Sequence, residues 1–170
     1  MNGESGISAG REDQAQERLR TGWIMVAAQG LLIVALIFLP RRGSLSLPLD
    51  AFDVVGILAM TLGLAVVLIA LITLGRALTA NPVPVEGAGL RTSGIYSVVR
   101  HPFYAGILLA GLGFTLAIGS WWQVVCWLAL LVFFVAKATW EDRMLAEKYG
   151  VTWFDYADHV GGFLPRFRRE

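Results

Sequence analysis

The residues able to do chemistry fall in two short stretches. Arg100-His101-Pro102 sets a cation and an imidazole directly before a proline that opens a long apolar run. Glu141-Asp142 sets two carboxylates at the far end of the next apolar run. Proline suits the first turn of a helix, where its missing N–H is no loss, so Arg100 and His101 are expected at the water-side mouth of a membrane helix. If the two stretches meet, they can bind a small charged cofactor at the membrane surface. Acids at the C-terminal end of a helix are opposed by its dipole, so Glu141 and Asp142, expected there, need a partner. That partner is Arg100 or Arg143 in an interfacial ion pair, or a ligand rich in hydroxyls and ammonium. Lys137 lies one helical turn before Glu141 and shares its face. It either snorkels to the interface or receives an anionic head group. Tyr96 and Tyr104 bracket the Arg-His-Pro step, as aromatic belt residues or as a stack and roof over a pocket.

The elements that must position these groups are membrane spans. The chain has 170 residues, 56% hydrophobic and 16% charged, with a mean hydropathy of +0.62. Soluble domains carry about a quarter charged residues, and here the apolar residues come in blocks. About 20 apolar residues at roughly 1.5 Å each cross a hydrocarbon core of about 30 Å. On that measure the sequence predicts an all-α integral membrane protein with four transmembrane helices, at about 22–39, 51–75, 103–119 and 120–140. Only Gly119-Ser120 separates the last two, so they are expected to form a tight antiparallel hairpin. That hairpin would bring His101 and Glu141 to one membrane face.

Residues 1–20 are polar and are expected as a mobile arm, helical from Arg11 to Arg20. Residues 21–170 form one membrane domain. Residues 76–100 hold Asn81-Pro82-Val83-Pro84 and Gly87-Ala88-Gly89, a long connection of the kind that is often functional. Gln29 is expected to hydrogen-bond a neighbouring helix. The stretch 145–160, with Trp153, Tyr156, Ala157 and Val160 at helical spacing, leads to a basic tail. It reads as an amphipathic interfacial segment on anionic lipid. Arg41 and Arg42 lie in the connection between the first two spans, and the other basic residues fall on the opposite side. The positive-inside rule then puts both termini and the polar site in the cytoplasm.

Several function classes drop out. Net charge is +1, which argues for no nucleic-acid partner. One cysteine, Cys126, rules out an internal disulfide, and with two histidines a metal cluster is not expected. There is no Walker loop and no Rossmann glycine pattern after a strand. A nucleotide-like cofactor would have to be held by helix ends and loops.

Leu90-x-Thr-Ser-Gly-Ile-Tyr96, then Arg100-His101-Pro102-Phe103-Tyr104, then Glu141-Asp142 and the Tyr149-Gly150…Tyr156 tail resemble the isoprenylcysteine carboxyl methyltransferases and their bacterial relatives. Gly75-Arg76-Ala77-Leu78-Thr79-Ala80-Asn81-Pro82 resembles the bacterial branch, so the likeness covers about residues 74–167. The resemblance implies S-adenosylmethionine as cofactor, with His101, Pro102, Phe103 and Tyr104 walling its pocket. It further implies that Tyr96 and the 88–91 stretch, with Leu90 and Arg91, close the pocket, and that Glu141, beside Asp142, holds the cofactor's polar groups. Asn81 would be a further cofactor contact. Lys137 falls where eukaryotic members place a substrate-contacting arginine, and Lys137 and Arg100 are the candidate substrate-binding residues. Ala88 stands where those enzymes have histidine, Asp142 replaces the second glutamate of their acidic pair, and Lys137 lacks arginine's bidentate fork. These departures bear on the prenylcysteine substrate more than on the cofactor.

The implied function is methyl transfer to an amphipathic, membrane-embedded acceptor, lipid-like or prenylated. Methyl transfer would be an in-line displacement from the sulfonium. A carboxylate acceptor needs no general base, only alignment and exclusion of water. The alternatives are a phospholipid amine N-methyltransferase and a non-catalytic membrane protein on the same scaffold.

Overall fold

The computed structural model describes residues 2–40, 49–75, 83 and 89–166, with side chains in the first two helices from Asp13 and Phe52 onward. Helix α1 spans Asn2–Phe38, α2 Leu49–Leu74, α3 Pro102–Ile118, α4 Trp121–Tyr149 and α5 Val151–His159, with a 3-10 turn at Gly94–Ser97 before α3. Among the described residues the only extended pairing is a single parallel bridge between Val99 and Gly161.

Three helices, Asp13–Phe38, Phe52–Leu74 and Trp121–Tyr149, are long and apolar enough to cross a membrane. The fourth apolar helix, Pro102–Ile118, has 17 residues, about 26 Å at the helical rise. With the outward faces of these helices apolar (Leu31 is 71% exposed, Ile72 71% and Val132 69%), the protein is an integral membrane protein. Lipid tails are as apolar as leucine, so what holds such helices together is close packing and interhelical hydrogen bonds.

The α2–α3 contact is made backbone to backbone. A Cβ on Gly63 would lie 2.6 Å from the Gly106 carbonyl oxygen, and one on Gly56 2.7 Å from that of Gly113. The glycines of α3 therefore serve helix approach. Helix α4 packs on α3 and α1 through Leu36, Tyr104, Leu108, Cys126, Leu130, Phe134 and Ala138. Contacts along α1 and α4 run in opposite directions. Arg18 Nη2 meets Glu147 Oε2 at 2.8 Å, Gln29 Oε1 accepts from Lys137 Nζ at 2.6 Å, and the Leu39 carbonyl accepts from Gln123 Nε2 at 3.0 Å. The expected interhelical bond of Gln29 is therefore present.

Helix α3 stops at Gly119, whose left-handed φ of 61° and N–H bond to the Thr115 carbonyl close the last turn. Ser120 is extended, and α4 begins at once. Its far end corrects the sequence reading. Expected to stop near 140, α4 continues to Tyr149, because nothing breaks it before Gly150 and Met144 buries one face of the extra turns. Glu141 and Asp142 therefore sit two turns inside a helix, and the dipole argument for them does not apply. Gly150, at φ 54° and ψ −127°, separates α4 from α5. At the other end, α1 is helical from Asn2, not from Arg11.

Candidate functional site

The site is built where α3 begins. His101, at φ −119° and ψ 58°, precedes Pro102, the first residue of α3, as the steric clash with a following proline favours non-helical backbone. This leaves two backbone donors facing outward, and the C-terminal segment takes both. Arg100 N–H donates to the Gly161 carbonyl at 2.8 Å and His101 N–H to that of Gly162 at 2.9 Å. The Arg100 side chain continues the clamp. Its Nη1 donates to the carbonyls of Ala157 (3.0 Å) and Val160 (2.7 Å) at the end of α5, its Nη2 meets Asp142 Oδ2 at 3.1 Å, and its guanidinium lies 5.5 Å over the Trp153 ring. A cation on the last carbonyls of a helix is favourably placed.

Arg100 and His101 share Asp142. His101 Nε2 is 2.9 Å from Asp142 Oδ1, while His101 Nδ1 faces Glu141 Oε2 at 3.8 Å. The imidazole, 5% exposed, thus lies between two carboxylates that keep more contact with the outside, Glu141 at 25% and Asp142 at 18%. The Tyr104 hydroxyl donates to Glu141 Oε2 at 2.9 Å. Its ring lies between His101 (centroids 5.5 Å, 9° between planes) and Phe134 (4.9 Å, 22°), with Phe103 edge-on at 6.0 Å. Lys137 comes in from below: its Nζ is 5.3 Å from the Tyr104 ring centroid and its side chain is buried.

Tyr96 lies in the 3-10 turn above this cluster. Its backbone carbonyl accepts from the Tyr156 hydroxyl at 2.5 Å. Burial, aided by the Glu141 charge, pushes the Tyr96 phenol up to about 12, so it stays neutral at working pH. Gly94 opens that turn at φ 63°, and a Cβ there would lie 2.9 Å from Thr73 Cγ2, which seats the turn on the end of α2.

The structure thus brings together Arg100, His101, Pro102, Phe103, Tyr104, Tyr96, Lys137, Glu141 and Asp142. Leu90 is half-buried and Arg91 exposed in the stretch that leads to the turn. Asn81 and Ala88 lie outside the described residues. Arg100, expected as a substrate contact, spends its Nη groups on α5 and Asp142. Sequence reasoning missed Trp153, Tyr156 and Phe163 as neighbours of the site; Phe163 tilts against His101 at 5.8 Å. Their signal was the aromatic spacing and the Gly161-Gly162-Phe163 run, which read as an interfacial segment.

An acid-flanked imidazole under stacked aromatics, one turn above a buried ammonium, can hold a polar ligand at the membrane boundary. Comparison with known proteins says which kind of protein carries it. The chain is 28% identical over 114 residues to protein-S-isoprenylcysteine O-methyltransferase A of Arabidopsis thaliana, covering 65% of this chain and 57% of that protein. It is 32% identical over 87 residues to methanethiol S-methyltransferase of Pseudomonas deceptionensis, covering 51% and 32%. The protein-S-isoprenylcysteine O-methyltransferase of Schizosaccharomyces pombe is 32% identical over 77 residues, covering 45% and 33%. The chain therefore spans less than two thirds of each of these curated relatives. All three are methyltransferases by name. Residues 52–152 match the profile of the phospholipid methyltransferase family, and the chain belongs to that family.

Proposed function

We propose that this protein transfers a methyl group from S-adenosylmethionine to the carboxylate of a membrane-embedded, lipid-like or prenylated acceptor. One observation carries the choice of acceptor. Lys137 is 3% exposed, its ammonium bonds the neutral amide of Gln29, and among the described residues no carboxylate pairs with it. A buried, unneutralised ammonium is costly unless an anion joins it. It lies beside Tyr104, one turn from Glu141, where an acceptor's acidic head would face the polar cluster.

The donor set fits the methyl donor. Glu141 and Asp142 suit its ammonium and hydroxyls, and His101, Tyr96 and Phe163 give aromatic surface for a purine. When bound, S-adenosylmethionine supplies an activated methyl on a sulfonium. The chain's own residues do the rest: Glu141 and Asp142 fix polar groups, the stacked rings of His101, Tyr104 and Phe134 exclude water, and Lys137 orients the acceptor's carboxylate. Such positioning supplies much of the barrier lowering when a nucleophile needs no deprotonation.

We further place four spans in the membrane, with α3 and α4 as a hairpin and residues 21–170 as one domain. Arg18 pairs with Glu147 at the same end of α4 as the site, and the distribution of Lys and Arg along the sequence then supports a cytoplasmic site and termini. A second reading, methylation of a phospholipid amine, is favoured by the family's description. His101 between two acids would give that reading the proton acceptor it needs.

The test is incubation of the purified protein with methyl-labelled S-adenosylmethionine and either a prenylcysteine or a phosphatidylethanolamine vesicle. Base-labile label released as methanol supports the carboxylate reading. Base-stable lipid label replaces it with the amine reading. No transfer to either, with no binding of the donor at millimolar concentration, overturns both.

A further inference from the structure

The match to the family profile begins at residue 52, so α1 lies outside it. Yet α1 reaches the site through one side chain. Gln29 Oε1 accepts from Lys137 Nζ at 2.6 Å, the Lys137 ammonium faces the Tyr104 ring, and the Tyr104 hydroxyl holds Glu141. Side chains of α1, α3 and α4 thus make one continuous line from mid-span to the acid pair. Gln29 itself is held in register by the Arg18–Glu147 pair about three turns before it and by the Leu39–Gln123 bond just past the C-terminal end of α1.

The chemistry of the amide matters here. A lysine stem is flexible and extends readily toward polar surroundings. Glu141 lies one turn along the same helix face, and pairing with it would cancel both charges. The Gln29 carbonyl oxygen holds the ammonium away from that pairing without neutralising it. A carboxylate at this position would hold Lys137 equally well and quench it. We propose that Gln29 is a positioning residue that keeps the Lys137 charge available to the anionic head of the acceptor, so that α1 takes part in acceptor choice. This rests on the reading of Lys137 as the carboxylate anchor.

The experiment uses the full chain in lipid nanodiscs and two probes, N-acetyl-S-farnesylcysteine and its carboxamide, which differ in head-group charge. Dissociation constants for both are measured, with S-adenosylmethionine affinity as a check on the fold. The wild type is expected to prefer the acid about tenfold, the scale of a hydrogen bond to a charged group. Lys137→Met and Gln29→Glu should each abolish the preference while S-adenosylmethionine affinity stays within about twofold of wild type. No preference in the wild type, or an unchanged one in Lys137→Met, sinks the carboxylate anchor and the inference with it. A preference lost in Lys137→Met but kept in Gln29→Glu overturns the role of Gln29 alone. If Gln29→Glu also loses S-adenosylmethionine, Gln29→Met decides. Its preference must fall at least threefold, or the inference is wrong.

Discussion

Replacing Asp142 by alanine removes the acceptor that joins α3, α4 and α5. In the native protein its carboxylate takes one bond from Arg100 Nη2 at 3.1 Å and one from His101 Nε2 at 2.9 Å. Both side chains of the Arg100–Asp142 pair are 18% exposed, so solvent screening is limited. Each charge-assisted bond contributes about 1.5–3 kcal/mol. The two do not simply add, because Arg100 keeps the Ala157 and Val160 carbonyls. The guanidinium left without its counter-charge, with an Nε that already has no partner among the described residues, brings the expected loss to about 3 kcal/mol. For a chain of this size that is a fall in melting temperature of about 6–12 °C. The damage should be local first: amide exchange of Trp153–Val160 should quicken before that of α2 and α3. Asp142→Asn keeps the size and one acceptor, and should lose less than half as much. Thermal denaturation in detergent, paired with hydrogen exchange, reads both. A melting point within about 1 °C of wild type, with α5 as protected as before, would refute the picture of Asp142 as the joint.

Glu141→Gln keeps the acceptor for Tyr104 but removes the charge. S-adenosylmethionine affinity by calorimetry should fall about 10- to 100-fold with little change in melting temperature, and unchanged affinity would remove Glu141 from the cofactor site. Gly63→Leu forces a side chain into the Gly106 backbone and should cost roughly 3 kcal/mol or more; an unaltered melting curve would contradict the α2–α3 approach. Tyr96 and Tyr156 both have phenols raised from 10.0 to about 12, first by burial. Their protonated forms therefore favour the folded state below pH 10, and that contribution drains away as pH rises through 12. Stability measured across that window should fall, and the fall should be shallower in Tyr96→Phe; equal slopes in the two proteins would count against the buried phenol.

How much of this was legible in the sequence depends on how local the signal was. Pro102 after Arg100-His101 fixed where α3 starts, because proline's geometry acts on its own neighbours. Gly119-Ser120 marked a short connection, and from it the approach of His101 to the acid pair could be deduced without coordinates. The end of α4 could not. The apolar run stops at Trp140, but helix formation does not depend on hydropathy, and Glu141–Tyr149 contains only residues a helix accepts. The clamp of Gly161 and Gly162 on Arg100 and His101 is a pairing across some sixty residues with no periodic pattern behind it. Arg100 therefore read as available for a ligand, with no sign that its Nη groups bond α5 and Asp142. Gln29 was legible as an interhelical donor or acceptor, but not as the partner of Lys137, since hydropathy sets no depth match between α1 and α4.

The brevity of α3 has a consequence for the lipid around it. Under the proposed four-span arrangement α3, with 17 residues against 26 in α2 and 29 in α4, is the one apolar helix among the described residues that falls short of an average hydrocarbon layer, and a bilayer answers such a shortfall by thinning beside it. Thinning at the His101 end would bring lipid headgroups and water closer to the acid pair. Acyl-chain length in the host membrane would then control how far the proposed lipid-like acceptor must rise to present its polar tip.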